Sequence, residues 1–259
     1  MMSSNQLKDL AIKLNAPESI VFREYIQLIL LENLYAITQS DKIIFKGGTA
    51  IHLMYHAPRF SEDLDFTVLM DKSDFEQFIH KVFSTISLSY EISFKERKTL
   101  TGKRYLLTAN SGIMKNSTYI NLDFSFREAV THIEKSPLVT EYPISVSSPI
   151  YFMGKAEIIA EKIRAILTRQ KGRDIYDLWF LLANQGSIDY DLLGDKFKYY
   201  QDKNLSLKDL LPRIESFPSK LYCEDLRPFV TYRTRETLER NFTDIKEYLQ
   251  DKVSQYYDK

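Results

Sequence analysis

The chain has 259 residues, enough for one large domain or two ordinary ones, and its 44% hydrophobic and 13% aromatic content fits a well-packed soluble protein. Its 35 basic and 35 acidic residues balance, which excludes a surface that coats nucleic acid by net charge alone and leaves local basic patches open. The one cysteine, Cys223, excludes an intramolecular disulfide framework and a cysteine-based zinc site; the polar opening MMSSNQLKDLAIKLNA reads as neither signal peptide nor membrane span, so no membrane partner and a cytoplasmic address are expected.

Residues 4–38 read as helical: Leu7, Leu10, Ala11 and Leu14 recur at helical spacing, and a second run, ESIVFREYIQLILLENLYAIT, follows Pro17. A strand is expected over 42–46, a short helix over 49–56, a strand over 63–69, and a helix over 73–83 with Ser73 as its cap. The segments SLSYEISFKER, KRYLLTAN, TYINLDFSF and YPISVSS are rich in β-branched and aromatic residues and separated by turn-forming pieces, which predicts strands of a mostly antiparallel sheet. From Lys155 onward the pattern is helical, with a break at Lys171-Gly172 and loops near Asn184-Gln185-Gly186 and Pro218. A boundary near residue 150 divides the chain into an α/β part, 1–150, and a helical part, 151–259.

The stretch FKGGTAIHLMYHAPRFSEDLDF, residues 45–66, carries the first chemistry. On a strand, Asp63 and Asp65 point to one side while Leu64 and Phe66 point to the core. On the strand at 118–126, Ile120, Leu122, Phe124 and Phe126 share one face, and Asn121, Asp123 and Ser125 the other. If the two strands are neighbours, three carboxylates converge, and their mutual repulsion calls for a cation. Mg²⁺ (or Mn²⁺) suits such oxygen ligands and is commonly held by one or two carboxylates plus substrate phosphates. Paired ions of this kind bind both the attacking and the leaving oxygen of a phosphoryl transfer. Gly47 and Gly48 let a phosphate approach the backbone, and Thr49 opens a helix whose N–H groups and dipole favour an anion. Singly, each feature is also what a turn, a helix start or a solvated strand face looks like; the ordered combination points to a phosphate cradle followed by a metal clamp.

That combination resembles the signature of polymerase-β-type nucleotidyltransferases. The closer resemblance is to the AbiEii/AbiGii nucleotidyltransferase toxin family. It lies in Lys46-Gly-Gly-Thr-Ala50, in Arg59-Phe-Ser-Glu-Asp-Leu-Asp-Phe66, and in the block from Glu161-Lys162 through Arg173-Asp174-Ile-Tyr-Asp177, in that order. The resemblance implies an α/β (α+β) fold: a nucleotidyltransferase core with a mixed sheet, a helical N-terminal segment, and a helical C-terminal part that closes the cleft. It implies an Mg²⁺-dependent enzyme that moves a nucleoside monophosphate from an NTP to an acceptor hydroxyl, with the tRNA 3′ end or another RNA among the acceptors. It further implies the toxin of a toxin–antitoxin or phage-abortive-infection pair, opposed by a separate antitoxin protein. In that scheme Asp63, Asp65 and Asp123 hold the metal, Asp123 is the general base, Gly47, Gly48 and Thr49 hold phosphates, and Lys162 neutralises developing charge.

The second block also has a local logic. Lys155, Lys162 and Arg169 are seven residues apart and fall on one helical stripe beside Ile159, Ile163 and Ile166. Asp174 and Asp177 are i, i+3 neighbours near the start of the next helix, where they suit the dipole and can pair with Lys162, Arg169 or Arg173. By itself this describes a helix hairpin with charged rows; beside a nucleotide site it describes cations for a triphosphate. The resemblance makes Lys162 a phosphate ligand, and Asp174, with Asp177 as the unranked alternative, the residue that orients it or contacts the nucleotide.

Ser61 is open between bonding a phosphate and shaping the strand entry, and Arg59 between touching substrate and pairing with Glu62. His52 and His56 have a metal-compatible spacing, but no third ligand is in register, so packing is expected. Trp179 reads as core, and Tyr199-Tyr200 and Tyr256-Tyr257 as ordinary surface aromatics, with stacking on RNA bases as their alternative. Two rivals to the nucleotidyltransferase expectation use the same residues: a metal-dependent nuclease or phosphatase, and a non-catalytic nucleotide- or partner-binding module.

Overall fold

A computed structural model of the chain describes residues 1–202 and 204–257 and divides into two compact units, Met1–Met153 and Gly154–Lys259.

The first unit opens with α1 (Ser4–Lys13), whose start is a capping box: the Ser3 hydroxyl accepts from the Gln6 N–H, and the Gln6 side chain accepts from the Ser3 N–H. Helix α2 (Glu18–Tyr35) follows Pro17 and is buried on almost every side, as expected of a run in which apolar residues circle the whole helix. The order then is β1 (Ile43–Lys46), α3 (Gly47–Tyr55), β2 (Leu64–Val68), α4 (Lys72–Ser89), β3 (Ile92–Arg97), β4 (Lys103–Ala109), β5 (Thr118–Ser125), β6 (Ile133–Ser136) and β7 (Ile150–Met153). Among the described residues these strands form one seven-stranded sheet in the order β3-β4-β5-β2-β1-β7-β6. It is mixed: β2 runs parallel to β5 and β1 parallel to β7, while β1–β2, β3–β4, β4–β5 and β6–β7 are antiparallel.

The core face of this sheet has an aromatic spine. Phe152, Phe45, Phe66 and Phe124 occupy successive register positions across β7, β1, β2 and β5. The Phe66 and Phe124 rings stack with centroids 5.0 Å apart, and Phe75 of α4 closes on Phe124 at 4.8 Å. Burying one such ring contributes about 1.5–3 kcal/mol, so this row pins the register of the central strands. Strand register is a period-two property, and the residues next to the spine therefore face away from it.

Three local expectations are corrected. Helix α4 runs from Lys72 to Ser89 rather than ending at 83, because Phe75, Ile79, Val82 and Ile86 keep their helical spacing against the core; Asp71 and not Ser73 holds the N-cap position. The segment YPISVSS is not a strand: Pro143 lacks an N–H for a ladder, and Tyr142 and Val146 are buried from a loop instead. The strands there are β7 and the edge strand β6, whose Ile133–Ser136 run is exposed and charged and shows no alternation to detect. The sheet is mostly antiparallel as expected, with four antiparallel pairings and two parallel ones among the described residues.

The second unit is helical: α5 (Lys155–Thr168), α6 (Gly172–Ala183), α7 (Tyr190–Tyr199), α8 (Leu210–Glu215), α9 (Ser219–Leu226), α10 (Tyr232–Arg235) and α11 (Leu238–Ser254). Helices α5 and α6 form a hairpin that breaks at Lys171-Gly172. Among the described residues no helix is long and apolar enough to cross a membrane.

Candidate active site

Register places the acids. Asp65 of β2 lies directly opposite Asp123 of β5. On the outer sides, Lys46 of β1 is opposite Asp65, and Arg104 of β4 is opposite Asp123. Read across four strands, one row is therefore Arg104, Asp123, Asp65, Lys46: two acids side by side, bracketed by two cations. Each is the neighbour of a spine or core-facing residue, so alternation sets the charged row on the face away from the aromatic spine. Asp63, two residues before Asp65, belongs to the same face, and its Oδ1 accepts from Asn121 Nδ2 at 2.9 Å.

The two cations are held differently. Lys46 Nζ lies 2.6 Å from Glu128 Oε1, and both side chains are buried, at 11% and 2% exposure. Arg104 Nε lies 2.6 Å from Asp123 Oδ1, with the side chains 47% and 32% exposed. The hydrogen bond to Asp123 raises the Arg104 pKa above its ordinary value; burial opposes the rise, and the charges of Asp123, Asp63 and Asp65 reinforce it.

Among the described residues no trio of His, Cys, Asp or Glu stands as a ready-made metal cage. Asp63 and Asp123 are turned toward Asn121 and Arg104. The donor set is nonetheless made of carboxylate oxygens in adjacent register, and the guanidinium drawn to it is a stand-in for positive charge. Oxygen-only acids of this kind fit a hard divalent cation.

The glycine turn abuts the same acids. Gly47 has φ +76°, a left-handed conformation that side chains disfavour, and a Cβ built on it would lie 2.3 Å from Asp65 Oδ2. A Cβ on Gly48 would meet the Arg59 guanidinium at 2.6 Å and Ser61 Oγ at 3.0 Å. Helix α3 begins at Gly47, two residues earlier than expected, with Lys46 at the N-cap position and no side-chain cap. Thr49 is fully buried, and its hydroxyl donates to the Asp63 carbonyl. Thr49 therefore ties the turn to the acid strand through its side chain, which leaves backbone N–H groups as its means of meeting a phosphate. Gly47→Ala is expected to lower any activity that depends on Asp65 by about a hundredfold, since misplacing a reacting group by an ångström is enough for that. Activity assay with a folded variant checks this, and an unchanged rate would detach the turn from the chemistry.

Three residues beside the site were not foreseen: Gln27, Arg104 and Glu128. Gln27 Nε2 donates to the carbonyls of Ser61 and Glu62, each at 3.1 Å, and so fixes the entry to β2 from α2. A lone polar residue inside the apolar run YIQLILL was its signal. Arg59 is 2% exposed and donates from Nη1 to the Phe60 carbonyl at 2.9 Å. Arg104 and Glu128 had no local signal, because their roles depend on which strands pair. Of the two histidines only His52 packs as expected, its Nε2 meeting Glu24 Oε2 at 2.8 Å and its Nδ1 the Ala57 carbonyl at 2.6 Å; His56 is exposed and leaves the helix in a left-handed C-cap with φ 62°.

In the second unit Lys162 Nζ lies 2.9 Å from Asp174 Oδ1 and 2.7 Å from Asp177 Oδ2, all three side chains being at most 10% exposed. Arg169, just past α5, donates to both Asp174 oxygens, from Nε at 2.7 Å and Nη2 at 2.9 Å. Burial alone would raise the Asp174 pKa, but the Lys162 and Arg169 charges and hydrogen bonds prevail and hold it well below the usual carboxylate range. Lys155 Nζ donates to the Asn184 carbonyl at 2.8 Å, so the stripe predicted on α5 is the seam of the α5–α6 hairpin. Tyr176 meets Trp179 edge-on at 5.3 Å, and the Arg164 guanidinium covers the Tyr200 ring at 3.5 Å.

Comparison with known proteins gives these features a family. The model of a family described as nucleotidyl transferase AbiEii toxin, Type IV TA system, matches residues 29–251. An uncharacterized protein of Aquifex aeolicus strain VF5 is 27% identical over 229 residues, covering 87% of this chain and 93% of that protein. The crystal structure of JHP933 from Helicobacter pylori is similar with a TM-score of 0.58 and 22% identity, over 94% of this chain and 95% of that one. MenT4, a nucleotidyltransferase toxin from Mycobacterium tuberculosis H37Rv, is similar with a TM-score of 0.67 and 17% identity, over 97% of this chain and 90% of that one.

Proposed function

The chain belongs to the AbiEii nucleotidyl transferase toxin family, and from that membership we propose that it moves a nucleoside monophosphate from an NTP to an acceptor hydroxyl and releases pyrophosphate. The observation that carries the reading is the pairing of Asp65 with Asp123 in adjacent parallel strands, beside a glycine turn whose Cβ space is occupied by the Asp65 carboxylate.

Asp63, Asp65 and Asp123 would hold a divalent cation, Mg²⁺ or Mn²⁺, which when bound supplies charge neutralisation at phosphate oxygens. The protein's own groups do the rest. Backbone N–H groups at Gly47, Gly48 and Thr49 bind phosphate oxygens at the start of α3, with Ser61 Oγ beside Gly48 as a further donor. Asp123 takes the proton of the acceptor hydroxyl as its oxygen bonds the α-phosphorus and pyrophosphate departs. In the helical unit Lys162 is assigned the nucleotide phosphates, Arg169 supports it, and Asp174 and Asp177 orient its ammonium. The acceptor is proposed to be RNA, with the tRNA 3′ end the first to test. The biological role is proposed to be that of a cytoplasmic toxin restrained by a cognate antitoxin, in a phage-defence setting.

The test is transfer from α-labelled ATP, CTP, GTP and UTP, one at a time, with Mg²⁺ and total RNA. Label is expected on RNA with one NTP preferred, and absent from a protein carrying both Asp63→Asn and Asp65→Asn. Absence of label on RNA and protein with every NTP would overturn the proposal.

A further inference from the structure

Two cations bracket the paired acids, and only one of them is displaceable. Lys46 is committed to Glu128 in a pair buried at 11% and 2% exposure, where separation of the charges is costly. Arg104 is 47% exposed, and its partner Asp123 is 32% exposed; pairs so close to solvent are weakly held and readily exchanged. Arg104 also faces more negative charge than its one partner supplies, since Asp65 is the register neighbour of Asp123 and Asp63 shares the face.

We propose that Arg104 is a placeholder cation: it occupies Asp123 before substrate arrives, and it yields that carboxylate when a divalent cation and a nucleotide load together. The proposal rests on the acids forming the nucleotide site. Its physical content is a competition. With Arg104 on Asp123 Oδ1, a divalent ion alone must displace a guanidinium that has nowhere better to go. A triphosphate changes the balance, because its oxygens accept the released guanidinium in a two-point contact. Arg104 therefore keeps the three carboxylates together without metal, discourages loading by a bare ion, and couples ion binding to nucleotide binding. Its part is positioning and specificity, exerted through Asp123.

The experiment measures Mn²⁺ binding to the full chain by electron paramagnetic resonance of the free ion. Native protein is compared with Arg104→Met, Arg104→Lys, Asp65→Asn and Asp123→Asn, first with Mn²⁺ alone and then with a mixture of the four α,β-imido nucleoside triphosphates. Arg104→Met is expected to bind Mn²⁺ alone about tenfold more tightly, the size of effect expected from removing one adjacent like charge. The imido nucleotides should tighten Mn²⁺ binding to native protein and have a severalfold smaller effect on Arg104→Met. Arg104→Lys, which keeps the charge but not the two-point contact, should stay close to native with Mn²⁺ alone and guards there against a general effect of substituting an exposed strand residue. Equal Mn²⁺ affinity in native and Arg104→Met, with binding lost in Asp65→Asn and Asp123→Asn, would overturn the placeholder and leave the cation site standing. Mn²⁺ binding no stronger in native or Arg104→Met than in the two acid variants would overturn the site and the placeholder together.

Discussion

Asp65→Asn is expected to lower nucleotidyl transfer by about a thousandfold, the scale on which removing one electrostatic group from a reacting centre is felt. Asp65 sits between Asp123 and Lys46 in register, and its Oδ2 fills the space beside Gly47. Asparagine keeps that shape and removes only the charge, so the loss reports on electrostatics and not on packing. The fold should survive, because the amide keeps the side chain's size and can still accept hydrogen bonds. The variant is therefore expected to unfold cooperatively at a melting temperature close to that of native protein. Transfer of label from the preferred NTP and thermal unfolding, measured on the same preparation, decide the matter. A variant within threefold of native activity would remove Asp65 from the chemistry. An inactive variant that melts well below native would make Asp65 structural.

Lys162→Met is expected to destabilise the protein by about 3–5 kcal/mol at neutral pH, the cost of withdrawing one partner from a buried charge cluster. The ammonium lies within 3 Å of both Asp174 and Asp177, whose side chains are 2% and 0% exposed. Methionine fills similar volume, so the loss is mainly that of the charge. The pH dependence has a defined sign. The Asp174 pKa is depressed in the folded protein by Lys162 and Arg169 acting against burial. A depressed carboxylate contributes stability above its unfolded pKa of about 3.9, and that contribution fades as pH falls through the folded value. The gap between native and Lys162→Met should therefore be widest near neutrality and narrow below about pH 4. Urea unfolding at both pH values tests it, and a gap that does not change with pH would mean that the cluster is held by packing and not by charge. This stability role coexists with the proposed phosphate role: a cation fixed by two carboxylates is pre-oriented.

Much of the site was legible because it is written in local periodicity. Alternation alone assigns Asp63 and Asp65 to one face and Leu64 and Phe66 to the other, and does the same for Asp123 against Leu122 and Phe124. The observed burial follows that division: Leu64, Phe66, Leu122 and Phe124 are buried, while Asp65 and Asp123 are intermediate. The glycine turn and the α5–α6 hairpin were readable for the same reason, since backbone freedom and helical spacing concern residues a few positions apart. The misreadings fall where a local signal was weak or contradicted. YPISVSS has strand composition but carries a proline, and β6 is a charged edge whose only reason to be a strand is its partner β7.

The sequence by itself determined which way each candidate side chain faces on its own element. The tertiary structure decided who stands beside whom. That β2 lies next to β5, with α4, β3 and β4 between them in the chain, is what sets Asp65 against Asp123. The β4–β5 pairing selects Arg104 as the cation over Asp123, and the path after β5 brings Glu128 to Lys46. The physical reason is range. A strand's alternation and a helix's stripe come from bond geometry and repeat within a few residues, whereas strand order is settled by the burial of a shared aromatic spine drawn from four separate segments, and the ionic partners follow from the register which that spine enforces.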